Sequence, residues 1–290
     1  MNTEVSSPRY KDLDTWQPGE ILEALLERQF AAIAAVRAAR ASLEAAALAA
    51  ATRLRQGGRL AYAGAGTSGR LAVQDGAELP PTYGWPQERL VYLLAGGPEA
   101  LLHPVEGAED DEAAGREAAS RLTQEDVLVG VAASGRTPYT VAALREARAR
   151  GVLTIGIANN PDTPLLQEAQ HPIFLDTGPE VVAGSTRMAA GTAQKAALNL
   201  LSTLTMIRLG RVYGNRMVEV TLTNQKLWNR ALRTLQELTG SERERAEAAL
   251  EAAGGRVSLA VLLLRGLGLE EALALLAETG SLRAALERRG

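Results

Sequence analysis

Residues 63–81 read AGAGTSGRLAVQDGAELPP, and this stretch decides the fold. The apolar run 59–63 (RLAYA) precedes it, and a helix is expected from about Ser68 onward. Residues 64–69 match the G-x-G-x-x-G pattern of dinucleotide-binding folds. A strand, a glycine turn and a helix start form an anion site, because free amides and the positive end of the helix dipole face the ligand. The stretch therefore predicts an α/β fold without naming the ligand.

Four further apolar runs follow the glycine loop, and each is short enough to be a buried strand. They are residues 90–95, 126–133, 152–158 and 172–175. An amphipathic helix is expected between the third and fourth of the five runs, over residues 139–150. Continuous apolar strands separated by helices predict a parallel sheet that is sandwiched by helices on both faces.

Three parts of the chain are predicted from the change in sequence texture. Residues 1–56 hold an irregular arm and two helices, with Ser42 as the expected N-cap of the second helix. Residues 57–222 hold the sheet domain, including a long helix over 186–209 and an extended piece over 212–220. Residues 223–290 form a small all-helical subdomain, in which three short helices follow Ser241, broken at residues 254–255 and at Gly280.

Composition excludes several classes of protein. The net charge of −3 gives no basic excess, so nucleic acid is not an expected partner. The chain has no cysteine and only two histidines, His103 and His171, so neither a thiol nucleophile nor a multi-histidine metal site is expected. No apolar run has membrane length, and a soluble cytoplasmic protein is expected.

The dinucleotide interpretation makes a further demand that the sequence does not meet. It needs an acidic residue about 20 residues after the glycine loop, at the end of the second strand, to bind the ribose hydroxyls. Here that strand runs into Ala95, Gly96 and Gly97. A dehydrogenase is therefore the weakest of the alternatives.

A second loop of the same design follows the third strand, with the sequence ASGRTP at residues 133–138. Hydroxyl side chains flank a glycine in both loops: Thr67 and Ser68 in the first, Ser134 and Thr137 in the second. Loops after neighbouring parallel strands meet at the carboxyl edge of the sheet, where such folds bind ligands. Two such loops predict a phosphate site, although each hydroxyl taken alone also suits an ordinary helix N-cap.

Seven motifs in order carry a resemblance to a known family. They are residues 64–70 (GAGTSGR), 75–78 (DGAE), 80–82 (PPT), 105–110 (VEGAED), 129–139 (VGVAASGRTPY), 184–187 (GSTR) and 191–195 (GTAQK). The two strand-to-helix loops resemble the phosphosugar loops of sugar isomerase (SIS) domains. The whole set, over residues 3–230, resembles the N-acetylmuramic acid 6-phosphate etherases.

The resemblance implies a lyase of cell-wall amino-sugar recycling that needs neither metal nor nucleotide cofactor. Its substrate is a phosphorylated amino sugar, and its products are N-acetylglucosamine 6-phosphate and D-lactate. By resemblance, Glu78 matches the proton donor and Glu109 the second catalytic glutamate. Apolar neighbours predict that Glu78 is partly desolvated. Which glutamate is acid and which is base stays open, and a solvated surface carboxylate is the alternative for both.

Substrate binding is assigned to the two loops and to the start of the long helix. The predicted residues are Gly66, Thr67, Ser68, Gly69, Ser134, Gly135, Arg136, Thr137, Ser185 and Thr186. The glycines are expected to contribute backbone amides. Arg70 and Arg136 either bind the anion or pair with carboxylates, and Ser185 and Thr186 either touch substrate or only cap the helix. His103 is interpreted as a structural hydrogen-bonding residue rather than as a catalyst.

Two other functions fit the same fold. A non-catalytic phosphosugar sensor similar to the glucokinase regulatory protein would keep the hydroxyl loops but would not need Glu78. An aldose–ketose isomerase would need one carboxylate base, whereas this chain offers Glu78 and Glu109. SIS domains usually pair, so a homodimer is expected, with residues of the partner subunit possible in the site.

Overall fold

A computed structural model describes residues 2–289, and its centre is a parallel sheet of five strands. The strands are β1 (Leu60–Gly64), β2 (Leu90–Leu94), β3 (Val127–Ala132), β4 (Leu153–Ala158) and β5 (His171–Phe174). Every residue of β1, β3 and β4 is buried, as expected for strands that are covered on both faces. All five predicted strands are thus confirmed.

The strand order is β2-β1-β3-β4-β5, and this order determines where a ligand can bind. β1 lies between β2 and β3, with Gly64 beside both Leu94 and Val131. The connections after β1 and after β3 therefore leave in opposite directions along the sheet. This reversal opens a crevice at the carboxyl ends of the two strands, the usual ligand site of doubly wound sheets.

Helices connect and cover the strands. They are α1 (Pro18–Ala38), α2 (Arg40–Arg55), α3 (Gly66–Ala77), α4 (Leu79–Tyr83), α5 (Glu112–Ala119), α6 (Pro138–Ala149), α7 (Pro164–Glu168) and α8 (Ala189–Arg208). α2 packs against β3, β4 and β5, and α6 packs against β1, β3 and β4. The predicted sandwich of a parallel sheet between helices is therefore confirmed.

Two details of the predicted helices are wrong. The break between α1 and α2 falls at Ala39, and Ser42 lies inside the first turn of α2 rather than at its N-cap. α8 begins at Ala189, three residues later than predicted, because the buried carboxylate of Glu180 accepts the amides of Ala189 and Ala190 at 3.0 and 2.9 Å. A remote carboxylate therefore does the capping that the sequence assigned to Ser185 and Thr186.

The chain divides into two compact units by its contacts. The sheet unit contains residues 1–76 and 88–204, and the helical unit contains residues 77–87 and 205–290. The N-terminal helices thus cluster with the sheet, while the short segment around Glu78 clusters with the C-terminal helices. The division into 1–56, 57–222 and 223–290 stays a prediction.

The helical unit has its own apolar core. A two-strand hairpin, β6 (Val212–Tyr213) and β7 (Arg216–Met217), replaces the single extended piece that was predicted. It is followed by α9 (Gln225–Thr239), α10 (Arg243–Ala252), α11 (Val257–Leu264), α12 (Leu269–Thr279) and α13 (Leu282–Glu287). Four helices rather than three follow Ser241, because Gly266 (φ +92°) ends α11 before the next helix begins. Leu232, Leu250 and Leu262 are among its fully buried side chains.

Candidate functional site

A polar cleft of about 400 Å³ lies at the carboxyl edge of the sheet, where β1 and β3 end. Its lining comprises Glu4, Ala65, Gly66, Thr67, Ser68, Glu109, Asp110, Ala133, Ser134, Arg136, Thr137, Pro138 and Thr186. Both hydroxyl-bearing loops that the sequence singled out therefore line one cleft, together with Glu109. All of these residues belong to the sheet unit.

The first loop is shaped by a close approach of backbone to backbone. A Cβ on Gly64 would lie 2.8 Å from the Cα of Gly69, and a Cβ on Gly69 would lie 2.4 Å from the side chain of Leu94. The helix α3 can therefore start directly beside the end of β1 only because both residues are glycine. This contact brings the first turn of α3, with Thr67 and Ser68, to the cleft.

Gly69 and Gly135 differ from the role predicted for them. The amide of Gly69 donates to the carbonyl of Ala65 at 3.0 Å, and the amide of Gly135 donates to Ala132 at 3.0 Å. Both amides are engaged inside the protein, and neither residue lines the cleft. The two glycines therefore shape the loops, and their amides are not available to a ligand.

In the second loop, the two hydroxyl groups are arranged differently. The hydroxyl of Ser134 accepts the amide of Arg136 at 3.1 Å, which closes the turn before α6. Thr137 stands at the N-cap of α6, but its side chain makes no cap hydrogen bond there. Thr137 lines the cleft, and its hydroxyl is not used as the cap of α6. The free amides and dipole of the twelve-residue α6 favour an anionic ligand.

The far end of α3 is fastened by a buried carboxylate. Asp75 is only 4 % exposed, and it accepts hydrogen bonds from the Tyr62 hydroxyl at 2.8 Å, Asn199 Nδ2 at 2.7 Å and the Ser202 hydroxyl at 3.0 Å. Burial raises the pKa of Asp75, and these three hydrogen bonds oppose that rise. The network ties α3 to β1 and to α8, which fixes the helix whose first turn lines the cleft.

Glu4 is a cleft residue that the sequence analysis did not assign. It lies in the 3-10 turn Asn2–Glu4, next to Thr3, which is fully buried. Asn160, just after β4, donates from Nδ2 to the Thr3 hydroxyl at 3.0 Å and to the Ala133 carbonyl at 2.9 Å. The N-terminal arm is therefore pinned to the sheet edge. No local pattern around Glu4 indicates this attachment of the arm, because Asn160, the partner of Thr3, is 157 residues away.

A second cleft of about 350 Å³ shares five lining residues with the first one: Ala65, Gly66, Thr67, Glu109 and Asp110. His103 and Arg70 line this second cleft. His103 is exposed, which does not suit the structural role assigned to it. Arg70 donates from Nε to the Ala100 carbonyl at 2.9 Å, so part of its guanidinium is already bound.

Glu109 and Glu78 lie in different surroundings. Glu109 belongs to the short turn Ala108–Asp110 and lines both clefts. Glu78 follows the last residue of α3 and belongs to the helical unit, outside the described lining of either cleft. Its side chain is exposed, so the partial desolvation expected from its apolar neighbours is wrong for the single chain.

Thr186 lines the first cleft, whereas Ser185 does not. Within residues 2–289, no group of three or more His, Cys, Asp or Glu side chains is arranged to hold a metal ion. Over the same residues, no helix combines the length and the apolar character needed to cross a membrane.

Comparison with known proteins gives three matches to family domains. Residues 43–148 match the N-terminal SIS domain of the glucokinase regulatory protein, and residues 102–204 match the SIS domain. Residues 214–254 match the C-terminal lid domain of glucokinase regulatory protein. Both hydroxyl loops thus fall within SIS matches.

Full-length relatives give a sharper result. The chain is 54 % identical over 273 residues to an N-acetylmuramic acid 6-phosphate etherase of Deinococcus radiodurans, covering 93 % of this chain and 90 % of the relative. Relatives of the same name are 48 % identical in Rubrobacter xylanophilus and in Streptomyces avermitilis. The first match covers 98 % of this chain and 95 % of the relative, and the second covers 99 % and 93 %.

Proposed function

Since this chain belongs to the N-acetylmuramic acid 6-phosphate etherase family, we propose that the cleft between the β1 and β3 loops is its active site. The enzyme is a carbon–oxygen lyase of cell-wall amino-sugar recycling, and it converts N-acetylmuramic acid 6-phosphate to N-acetylglucosamine 6-phosphate and D-lactate. One observation carries the assignment of the site: two hydroxyl-bearing helix starts and Glu109 line the same cleft.

The phosphate is bound by the hydroxyl loops. Thr67 and Ser68 lie in the first turn of α3, and Thr137 stands at the start of α6. Each helix adds free amides and the positive end of its dipole, which suits a dianionic phosphate. Arg136 is the cation of the cleft and adds a charge-assisted hydrogen bond.

The chemistry is an elimination followed by the addition of water. In the open-chain sugar, the ether oxygen at C3 lies β to the C1 aldehyde, so the proton at C2 is acidic. A base removes that proton and an acid protonates the departing lactate oxygen; water then adds to the unsaturated aldehyde. One carboxylate and one carboxylic acid supply these proton transfers. Glu109 and Glu78 are assigned to them, with the order of roles left open.

We infer that the two glutamates of one site come from two copies of the chain. Glu78 follows Ser68 by ten residues, nearly all within α3, and a helix rises about 1.5 Å per residue, which separates the two by about 15 Å. The side chain of Glu78 is too short to span that distance back to its own cleft. We therefore assign Glu78 of a second copy to the cleft that contains Glu109 of the first.

The surface of α1 supports a homodimer. Leu22, Leu26, Phe30 and Ile33 repeat at helical spacing and are 60, 51, 75 and 51 % exposed. Such an apolar stripe is costly in water and marks an association surface. Sedimentation should show a dimer for the wild type and a monomer for Phe30→Glu. A monomeric wild type would contradict the shared site.

Activity is tested with N-acetylmuramic acid 6-phosphate in isotopically labelled water, without added metal or nucleotide. Release of D-lactate, followed by mass spectrometry, should accompany solvent label at C2 and C3 of the sugar. Binding of the sugar phosphate without lactate release would favour the sensor alternative, which the matches to glucokinase regulatory protein domains keep open at the level of fold.

Mixed dimers test the sharing of the site. Glu78→Gln and Glu109→Gln should each retain about 1 % of the wild-type rate or less when tested alone. In a shared site, a heterodimer of the two variants restores one complete site of two, so a random mixture should recover about a quarter of the wild-type rate. No recovery after confirmed subunit exchange would place both glutamates of each site on one chain.

The cytoplasm is the proposed location, because sugar phosphates are produced and consumed there. Cell fractionation with a phosphosugar enzyme as a marker is the direct check.

A further inference from the structure

The residues that follow Glu78 are held by the loop 211–221 of the helical unit. We call residues 79–85, which comprise α4 and the turn after it, the Glu78 segment. The Thr221 hydroxyl donates to the Pro80 carbonyl at 3.0 Å, and the Thr221 amide donates to the Pro81 carbonyl at 3.3 Å. α4 has only five residues, too few to be stable by itself, so these contacts determine its position.

Arg211 holds the end of the same segment. Its Nη1 donates to the Gly84 carbonyl at 3.2 Å, and its guanidinium lies over the ring of Trp85, 5.6 Å from the centroid. Trp85 is 2 % exposed, so the anchor of the segment is fully buried. Burial lowers the pKa of Arg211, and the nearby carboxylate of Glu219 opposes that effect.

Glu219 connects Arg211 to the helices of the unit. Its carboxylate accepts Arg256 Nε at 2.8 Å, immediately before α11. A Cβ on Gly84 would lie 2.3 Å from the Glu219 carbonyl oxygen, so the turn passes directly against the loop. The Glu78 segment thus has two attachments. Thr221 holds Pro80 and Pro81. Arg211 holds Gly84 and Trp85.

We propose that Arg211 is a positioning residue for Glu78: through Gly84 and Trp85, together with Thr221, it fixes the Glu78 segment and thereby the carboxyl group that precedes it. The inference depends on the proposed role of Glu78 and gives the C-terminal helices a function, which is to carry a proton-transfer group. A displacement of about 1 Å in such a group is enough to lower a rate by about a hundredfold.

Arg211→Met tests this proposal, since methionine keeps apolar packing on Trp85 and removes the donors. We expect kcat to fall by about tenfold or more, with KM and the affinity for N-acetylglucosamine 6-phosphate changed less than about twofold. Arg211→Lys, which keeps a donor, should recover part of the lost rate. Arg233→Met changes an exposed arginine of α9 in the same unit and should leave the rate unaltered.

A double-mutant cycle separates positioning from loss of structure. In the Glu78→Gln background, where the group to be positioned is absent, Arg211→Met and Thr221→Val should cause no further loss of the residual rate. A further tenfold loss in that background would overturn the proposal, because it would show a general structural effect. Thr221→Val carries the same test if Arg211→Met does not fold.

Failure of this inference and failure of the proposed function give different results. If Glu78→Gln keeps the wild-type rate, the role of Glu78 is wrong and the positioning role fails with it. If Glu78→Gln is inactive while Arg211→Met and Thr221→Val both keep the wild-type kcat, only the positioning role is overturned.

Discussion

In the cleft, Thr67 and Ser134 stand on loops that leave buried parallel strands, whereas Glu78 stands between two helices, α3 and the five-residue α4. The strand register of β1 and β3 fixes the first pair, because Gly64 and Val131 lie side by side at the ends of the two paired strands. Contacts to a loop more than 120 residues later in the chain fix the residues after Glu78. Substrate binding and the proton transfer assigned to Glu78 therefore depend on different parts of the chain and should respond to different mutations.

Replacing the proton-transfer group should have the largest effect. Glu78→Gln keeps the size of the side chain and removes its acid–base function, so we expect kcat to fall about 10²- to 10⁴-fold. Calorimetry with N-acetylglucosamine 6-phosphate should give unchanged affinity, because the hydroxyl loops remain intact. A large loss of affinity would contradict the separation of the two functions.

A change in the Glu78 segment away from the carboxyl group should have a smaller effect. Gly84 has φ +58°, and an added Cβ would lie 2.3 Å from the Glu219 carbonyl oxygen. Gly84→Ala should therefore destabilise the protein by about 2 kcal/mol through backbone strain and the clash. Thermal unfolding gives this cost, and kcat should fall while product affinity stays near the wild-type value.

Gly240→Ala is the matched control for that change. Gly240 follows α9 in the same unit and shares the left-handed backbone of Gly84 (φ +68°, ψ +12°), but its added Cβ would meet no atom within 4 Å. This control variant should show the backbone strain without the clash. Equal losses of unfolding free energy in the two variants would contradict the importance of the contact with Glu219.

A mutation in the cleft should change the affinity for substrate and product and leave kcat nearly unaltered. Thr137→Val keeps the shape of the side chain and removes the hydroxyl at the start of α6, so the phosphate loses one charge-assisted hydrogen bond. We expect KM and the product dissociation constant to rise about tenfold, or about 1.4 kcal/mol, with kcat little changed. A fall in kcat with unchanged KM would indicate that Thr137 acts in catalysis and not in substrate binding.

The sequence predicts the cleft better than it predicts the position of Glu78, and the reason is physical. Buried strands, glycine turns and hydroxyl residues at helix starts are local patterns, and these located β1, β3 and both loops. The contact of Glu180 with the start of α8 spans nine residues and that of Thr3 with Asn160 spans 157, so no local motif contains either pair. The same holds for the Glu78 segment, which the motif DGAELPP does not place in the helical unit.

The sheet unit also has a pH-dependent contact, and it gives the smallest expected effect. Asp126, immediately before β3, is buried, and burial by itself opposes ionisation. The hydrogen bonds from the Arg59 side chain and from the backbone amides of Arg59 and Thr123 outweigh burial and lower the pKa of Asp126. A lowered folded-state pKa contributes stability above the unfolded value of about 3.9, and this contribution is lost as the pH falls through the folded-state value.

Arg59→Met removes the side-chain hydrogen bonds that help to lower the pKa of Asp126. The variant should lose about 1 kcal/mol of unfolding free energy at pH 7, since Arg59 is partly exposed, and the difference from the wild type should shrink below about pH 4 as Asp126 is protonated. Denaturant unfolding at pH 7 and at pH 3 measures both quantities, with Arg116→Met, in an exposed ion pair with Glu112, as the control. A difference that stays constant from pH 7 to pH 3 would mean that Arg59 acts through packing and not through the charge of Asp126.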